Sequence, residues 1–227
     1  MRLITTADDE LYGLASAAGK FGRAGKLLAR LEQERAADPG DPEAALRHAL
    51  AQMAVLPSVG VEFAAHARFT ATVEAFGEVL ALDPGNWPAR YARARLRALT
   101  PSSYGAYAVQ PAGDLAQALE DLEYLIGAQA GLAPRPYFAS APALAAVIGR
   151  LAGTAGPTDR PGLLAALADC PRTPIGLPAL GAVLCEPLAT LHAGAVGPER
   201  RALGEVLAAV YPGQAVVGAA ARQPVRG

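Results

Sequence analysis

The 227-residue chain has little of several residue types on which common protein classes depend. Only two cysteines are present, Cys170 and Cys185, and their spacing excludes both a disulfide framework and a Cys-x-x-Cys metal site. We therefore expect both thiols to be reduced and buried. The 20 Lys and Arg residues are balanced by 21 Asp and Glu residues, so no charge surplus attracts nucleic acid or an acidic membrane.

Long apolar runs are also missing. No stretch approaches the roughly 18 apolar residues of a membrane span, and the first ten residues become acidic before they reach the length of a signal peptide. These features predict a cytoplasmic protein without membrane or nucleic-acid partners. The wealth of Ala, Gly, Pro and Arg is typical of a GC-rich bacterial source.

What the chain does contain is the pattern of α-helices. Hydrophobic residues make up 52% of the sequence, largely Ala and Leu, whereas aromatic residues make up 6% and β-branched runs are scarce. Most of the helical apolar patterns begin at an N-cap residue or end at a Pro or Gly residue. The sequence predicts an all-α protein of about ten helices.

One turn sequence occurs twice. Asp38-Pro39-Gly40-Asp41 and Asp83-Pro84-Gly85-Asn86 each end one helical pattern and start another, and their first residues lie 45 positions apart. Asp8 or Asp9 is the expected N-cap of the first helix, the second helix should end near Ala37, and Asn86 should cap a helix that reaches Leu99.

The residues before the first of these turns resemble a tetratricopeptide repeat (TPR), a helix pair of about 34 residues. Packing positions of that repeat would be held by Leu11, Leu14, Ala15, Leu27 and Leu31, ahead of Pro39. The resemblance covers about residues 8–130, although its second unit, 42–86, is longer than the family's repeat. It implies a right-handed α-solenoid of TPR-like hairpins, closed by C-terminal capping helices.

The expected organisation has three parts. Residues 1–136 hold the TPR-like repeats with their insertions, residues 137–213 hold packed helices that complete the same domain, and residues 214–227 form a flexible tail. The C-terminal helices should span 140–153, 159–169, 176–192 with a kink or break near Pro187, and 198–211. The connection 100–113 is much longer than a helix hairpin needs, which makes it a candidate for binding.

The resemblance implies a noncatalytic scaffold that binds a protein, a peptide or a second copy of the chain on its concave surface. In this family the first helix of each repeat lines the binding surface. The equivalent residues here are Asp9, Tyr12, Ser16 and Lys20 in the first unit, Glu43, Leu46 and Leu50 in the second, and Tyr91 and Arg95 in the third. Two loop residues, Tyr104 and Tyr107, are further binding candidates because they belong to the long connection.

The helix after Asn86 is unusually rich in arginine. At 100° per residue, Arg90, Arg93 and Arg97 share one side of the helix, which predicts a solvated face. Arg95 falls among the apolar residues, so if it is buried it needs a carboxylate such as that of Glu120 or Asp121, backbone carbonyls, or an anionic group on a bound ligand.

No residue pattern indicates catalysis. The three histidines, His48, His66 and His192, are isolated, and no glycine-rich loop follows a predicted strand, so we predict no catalytic residue, metal ligand or cofactor. The alternative function is a helical small-molecule or cofactor-binding protein, or an accessory enzyme of a bacterial biosynthetic pathway. Its pocket would lie between the 61–82 helix, the Tyr104/Tyr107 loop and the C-terminal helices.

Overall fold

A computed structural model describes residues 1–58, 63–98, 112–151 and 159–212, and confirms the all-α class. Within these ranges no strand forms, and one isolated backbone bridge joins Arg2 to Asn86. The helices are α1 Thr6–Lys20, α2 Ala24–Ala37, α3 Pro42–Val55, a 3-10 turn Leu56–Ser58, α4 Phe63–Leu82, α5 Trp87–Ala98, α6 Ala112–Gln129, α7 Ser140–Leu151, α8 Asp159–Asp169, α9 Leu180–Gly194 and α10 Gly197–Val210. The predicted binding residues Tyr104 and Tyr107, and the predicted tail 214–227, lie outside the described residues.

The first helix begins earlier than its acidic residues suggested. Its N-cap is Thr5, whose side chain accepts a hydrogen bond from the backbone N–H of Asp8, while the Asp8 carboxylate accepts from the backbone N–H of Thr5 at 2.8 Å. This reciprocal pair is a capping box. The expectation that Asp8 or Asp9 caps α1 is therefore wrong, because Asp8 sits one turn inside and supplies the return bond.

The two repeated turns behave as the sequence predicts. Helix α2 ends at Ala37, directly before Asp38-Pro39, and Asp41 caps α3 by accepting from the backbone N–H of Glu43 at 2.9 Å. Asn86 caps α5, since its Oδ1 atom accepts from the backbone N–H of Ala89 at 3.2 Å. In the C-terminal half, α9 continues through Pro187, so the helix has no break there, and a kink at Pro187 stays a prediction.

The chain divides into two compact units, Met1–Leu125 and Ile126–Gly227. In the first unit, α3 is the central helix and packs against α1, α2 and α4, while α4 also packs against α5. Its largest fully buried side chains include Trp87, Phe76, Leu31, Leu46 and Leu50. The 136/137 division of the sequence stays a prediction, as does the right-handed solenoid arrangement.

The packing positions of the first predicted repeat are occupied with one exception. Ala15 and Leu31 are fully buried, and Leu11 and Leu27 pack against the same cluster. Leu14 is 58% exposed, because α1 buries the face that carries Ala15 and leaves Leu14 to one side of it.

In the second unit, α7 and α10 each pack against both α8 and α9. Buried leucines at helical spacing form its core, and Arg150 of α7 pairs with the buried Glu199 of α10 at 2.6 Å. Among the described helices of either unit, none combines the length and the apolar character that a membrane crossing needs.

Candidate functional site

The candidate site of the first unit is built around one carboxylate on α6. Asp121 lies in the buried stripe of that helix, next to Leu122 and one turn from Ala118 and Leu125. Its side chain is 3% exposed. A carboxylate that is this deeply buried must find cations or hydrogen-bond donors, because an unpaired buried charge is costly.

Three arginines of α5, Arg90, Arg93 and Arg97, supply these donors. We call the three arginines and Asp121 the arginine cluster. Arg93 binds both carboxylate oxygens through Nε and Nη2, at 2.8 and 2.7 Å, and Arg90 donates from Nη1 to Oδ1 at 2.9 Å. Arg97 makes a looser ion pair, with Nη1 3.6 Å from Oδ2. The bidentate geometry of Arg93 is the strong form of this interaction.

The prediction that Arg90, Arg93 and Arg97 form a solvated face of α5 is wrong. The side chains of Arg90, Arg93 and Arg97 are only 16%, 19% and 19% exposed, because α6 brings Asp121 against that side of α5. The periodicity of α5 places the three arginines together correctly. It carries no information about the helix that faces them.

Two arginines of the cluster, Arg90 and Arg93, share the carboxylate of Asp121, and no second carboxylate of the described residues pairs with either of them. A guanidinium has five N–H donors. The structure gives acceptors to two donors of Arg93, and to two of Arg90, whose Nε donates to the carbonyl of Pro84.

An aromatic ring and a glycine border the arginine cluster. The guanidinium of Arg90 lies 3.7 Å from the ring centre of Tyr124, a side chain of α6 that is 43% exposed. Such a cation–π contact orients the guanidinium at the surface. On the α4 side, Gly77 has no side chain, and Nη1 of Arg93 lies 3.8 Å from where its Cβ would stand.

Chemically, the arginine cluster can bind an anion but cannot transfer a proton, because arginine stays protonated in proteins. The arginine cluster was not predicted from the sequence, although two signals indicate it. One is a single carboxylate inside the apolar stripe of α6, and the other is the spacing of the α5 arginines by three and four residues on one face. Together they indicate a buried acid that faces a basic stripe.

The sequence-predicted binding residues fall into two groups by burial. The more accessible group consists of Tyr12, Ser16, Lys20 and Arg95, of which Lys20 is exposed and the others are half-buried. The side chains of Leu46, Leu50 and Tyr91 are buried in the core, and Tyr91 stacks on Trp87 with ring centres 4.9 Å apart. The prediction that these residues contact a partner stays a prediction.

The cysteines are free and buried, as expected. Burial raises the pKa of both thiols, that of Cys185 to about 12, which keeps them protonated and unreactive at neutral pH. Burial also lowers the pKa of His48, although Glu32 lies 3.2 Å from its Nε2 atom. In the described part of the chain, no group of three or more His, Cys, Asp or Glu side chains is arranged to hold a metal ion.

Comparisons with protein-family models, with curated proteins and with solved structures find no match for this chain. The TPR resemblance therefore rests on the residues that carry it.

Proposed function

We propose that the chain is a noncatalytic, TPR-like helical scaffold that binds an acidic segment of a partner protein at the arginine cluster. The single observation that supports this function is that Arg90 and Arg93 share the one carboxylate of Asp121. A purely structural ion pair needs one arginine for one carboxylate. Arg90 therefore has donors left for the carboxylate of a ligand, which arginine binds well because its planar donors match it.

The local positive charge of the arginine cluster, and not the net charge of the chain, drives this binding. The whole chain carries a formal charge of −1, so it has no general attraction for acidic peptides. The exposed ring of Tyr124 beside Arg90 gives the segment an apolar contact as well. Lys20, which the resemblance places on the binding surface, is an exposed cation of the same unit.

The test is fluorescence anisotropy with a labelled peptide of alternating Gly and Glu, compared with the same peptide in which Gln replaces Glu. The informative variant is Arg90→Gln, because Arg93 keeps both of its hydrogen bonds to Asp121. We expect the Glu peptide to bind and the Gln peptide not to bind. Arg90→Gln should weaken binding of the Glu peptide roughly tenfold.

The matched control is Arg47→Gln, which removes an exposed arginine paired with Glu34 elsewhere in the first unit. It should leave binding of the Glu peptide unchanged. Equal binding of the Glu and Gln peptides would contradict the proposal, as would equal losses in Arg90→Gln and Arg47→Gln.

A further inference from the structure

A cavity of about 450 Å³ opens where the α1–α2 turn, the end of α3 and the helix α4 come together. Glycines form one wall of it. A Cβ atom on Gly19 would lie 2.8 Å from Oγ of Ser58, whereas a Cβ atom on Gly25 would meet nothing within 4 Å. The first glycine permits close packing beneath the cavity, and the second leaves space within it. The volume lies within the range of small-molecule sites.

Arg68 of α4 supplies positive charge to this cavity. Its side chain is exposed and forms no ion pair with any residue that the structure describes. Gln52 also lines the cavity, but its Oε1 atom is buried away from solvent. The Nε2 atom of Gln52 lies 3.2 Å from Nε2 of His48, which in turn lies 3.2 Å from the Glu32 carboxylate.

The remaining walls suit the body of a small ligand. Leu28 of α2 and Val55 of α3 supply apolar surface. The hydroxyl of Thr72 is already used, because it donates to the carbonyl of Arg68 at 2.7 Å. The first residues of α2 also border the cavity, and no side chain caps that helix, so its free N–H groups add to the positive potential of Arg68.

We propose that this cavity binds a small anionic molecule, whose carboxylate or phosphate pairs with Arg68 beside the first residues of α2. The apolar part of the molecule lies against Leu28 and Val55. No residue is shared with the arginine cluster, so the two proposals stand or fall separately.

The experiment measures thermal unfolding through the fluorescence of Trp87, the single tryptophan, which is fully buried in the first unit. The probes, at millimolar concentration, are glycerol 3-phosphate, 3-hydroxybutyrate and uncharged glycerol. A ligand that binds only the folded state raises Tm in proportion to its saturation. We expect at least one of the two anions to raise Tm and glycerol to leave it unchanged, and the effective anion identifies the head group.

Two variants locate the binding. Arg68→Gln should weaken the effective anion roughly tenfold or more, and Gly25→Leu should abolish its binding by filling the cavity. The Gly25 change keeps α2 intact, because leucine is the better helix former. The matched controls are Arg200→Gln and Gly127→Leu, at an exposed arginine and at an open helical glycine away from the cavity. The proposal is overturned if neither anion raises Tm, or if the shift persists in both Arg68→Gln and Gly25→Leu.

Discussion

Replacing Arg2 should destabilise the first unit more than any other single arginine change outside the arginine cluster. Its guanidinium donates to both oxygens of Asp8, to both oxygens of Glu43 at 2.9 Å, and to the carbonyl of Leu3 at 2.9 Å. The Asp8 side chain is 3% exposed and the Glu43 side chain 51%. Most of the cost therefore comes from Asp8, because Glu43 regains water when Arg2 is lost.

The magnitude follows from what Asp8 keeps. Removing one partner of a buried ion pair costs about 3–5 kcal/mol. The Asp8 carboxylate still accepts two hydrogen bonds from Thr5, one from the backbone N–H at 2.8 Å and one from the hydroxyl at 3.0 Å. Part of the need of this buried carboxylate for donors therefore stays satisfied. We expect Arg2→Met to lower the free energy of unfolding by about 2–3 kcal/mol.

The assay is urea unfolding followed by Trp87 fluorescence, which reports the first unit. The double variant Arg2→Met/Asp8→Asn should recover much of the loss, because a neutral amide no longer needs a cation and can still accept from Thr5. The control Arg30→Met breaks a pair with Glu34 whose side chains are 60% and 37% exposed, and should cost less than about 0.5 kcal/mol. A loss below about 1 kcal/mol in Arg2→Met, or no recovery in the double variant, would refute the reasoning.

Three further predictions concern buried groups. Burial lowers the pKa of His48 below its usual 6.5. As the pH falls, His48 therefore takes up a proton in the unfolded chain before it does so in the folded chain. The free energy of unfolding should fall as the pH drops below about 6.5. Urea unfolding from pH 7 to 5 checks this, and His48→Gln should flatten that part of the profile. Cys185, whose pKa is raised to about 12, should resist iodoacetamide at pH 8 and react once urea unfolds the chain. Gly181→Ala should cost about 1 kcal/mol by circular dichroism, because the new Cβ atom would lie 3.0 Å from the ring of Tyr211, whereas Gly127→Ala, which meets nothing, should gain about 0.5–1 kcal/mol.

Local signals in the sequence were sufficient for much of the helical framework. The bounds of α8 and the end of α2 match the expected positions, and Asn86 caps α5, because each depends on a few neighbouring residues. The predicted N-cap of α1 was wrong for an equally local reason. Both Thr5 and Asp8 are good capping residues, and the choice between them depends on the ion pair that Asp8 makes with Arg2, six residues away.

The arginine cluster shows where local signals end. A helical wheel places Arg90, Arg93 and Arg97 on one face, but solvation of that face depends on whether α6 covers it. Asp121 lies 28 residues from Arg93 along the chain, and no periodicity of either helix pairs them. The cavity beside Gly25 depends in the same way on the approach of three separate helices.

The contact between the start of the chain and the α4–α5 turn sets an order on folding. The backbone carbonyl of Arg2 accepts a hydrogen bond from the N–H of Trp87 at 2.9 Å, and Met1 lies against Gly85. During synthesis, the segment around Arg2 leaves the ribosome long before its partner exists. The side chain of Arg2 can pair with Asp8 and Glu43 once they have emerged, but its backbone hydrogen bond forms only after residue 87 has emerged, so this contact is made late. Pulsed hydrogen exchange during refolding should accordingly protect the Trp87 amide after the amides of α3.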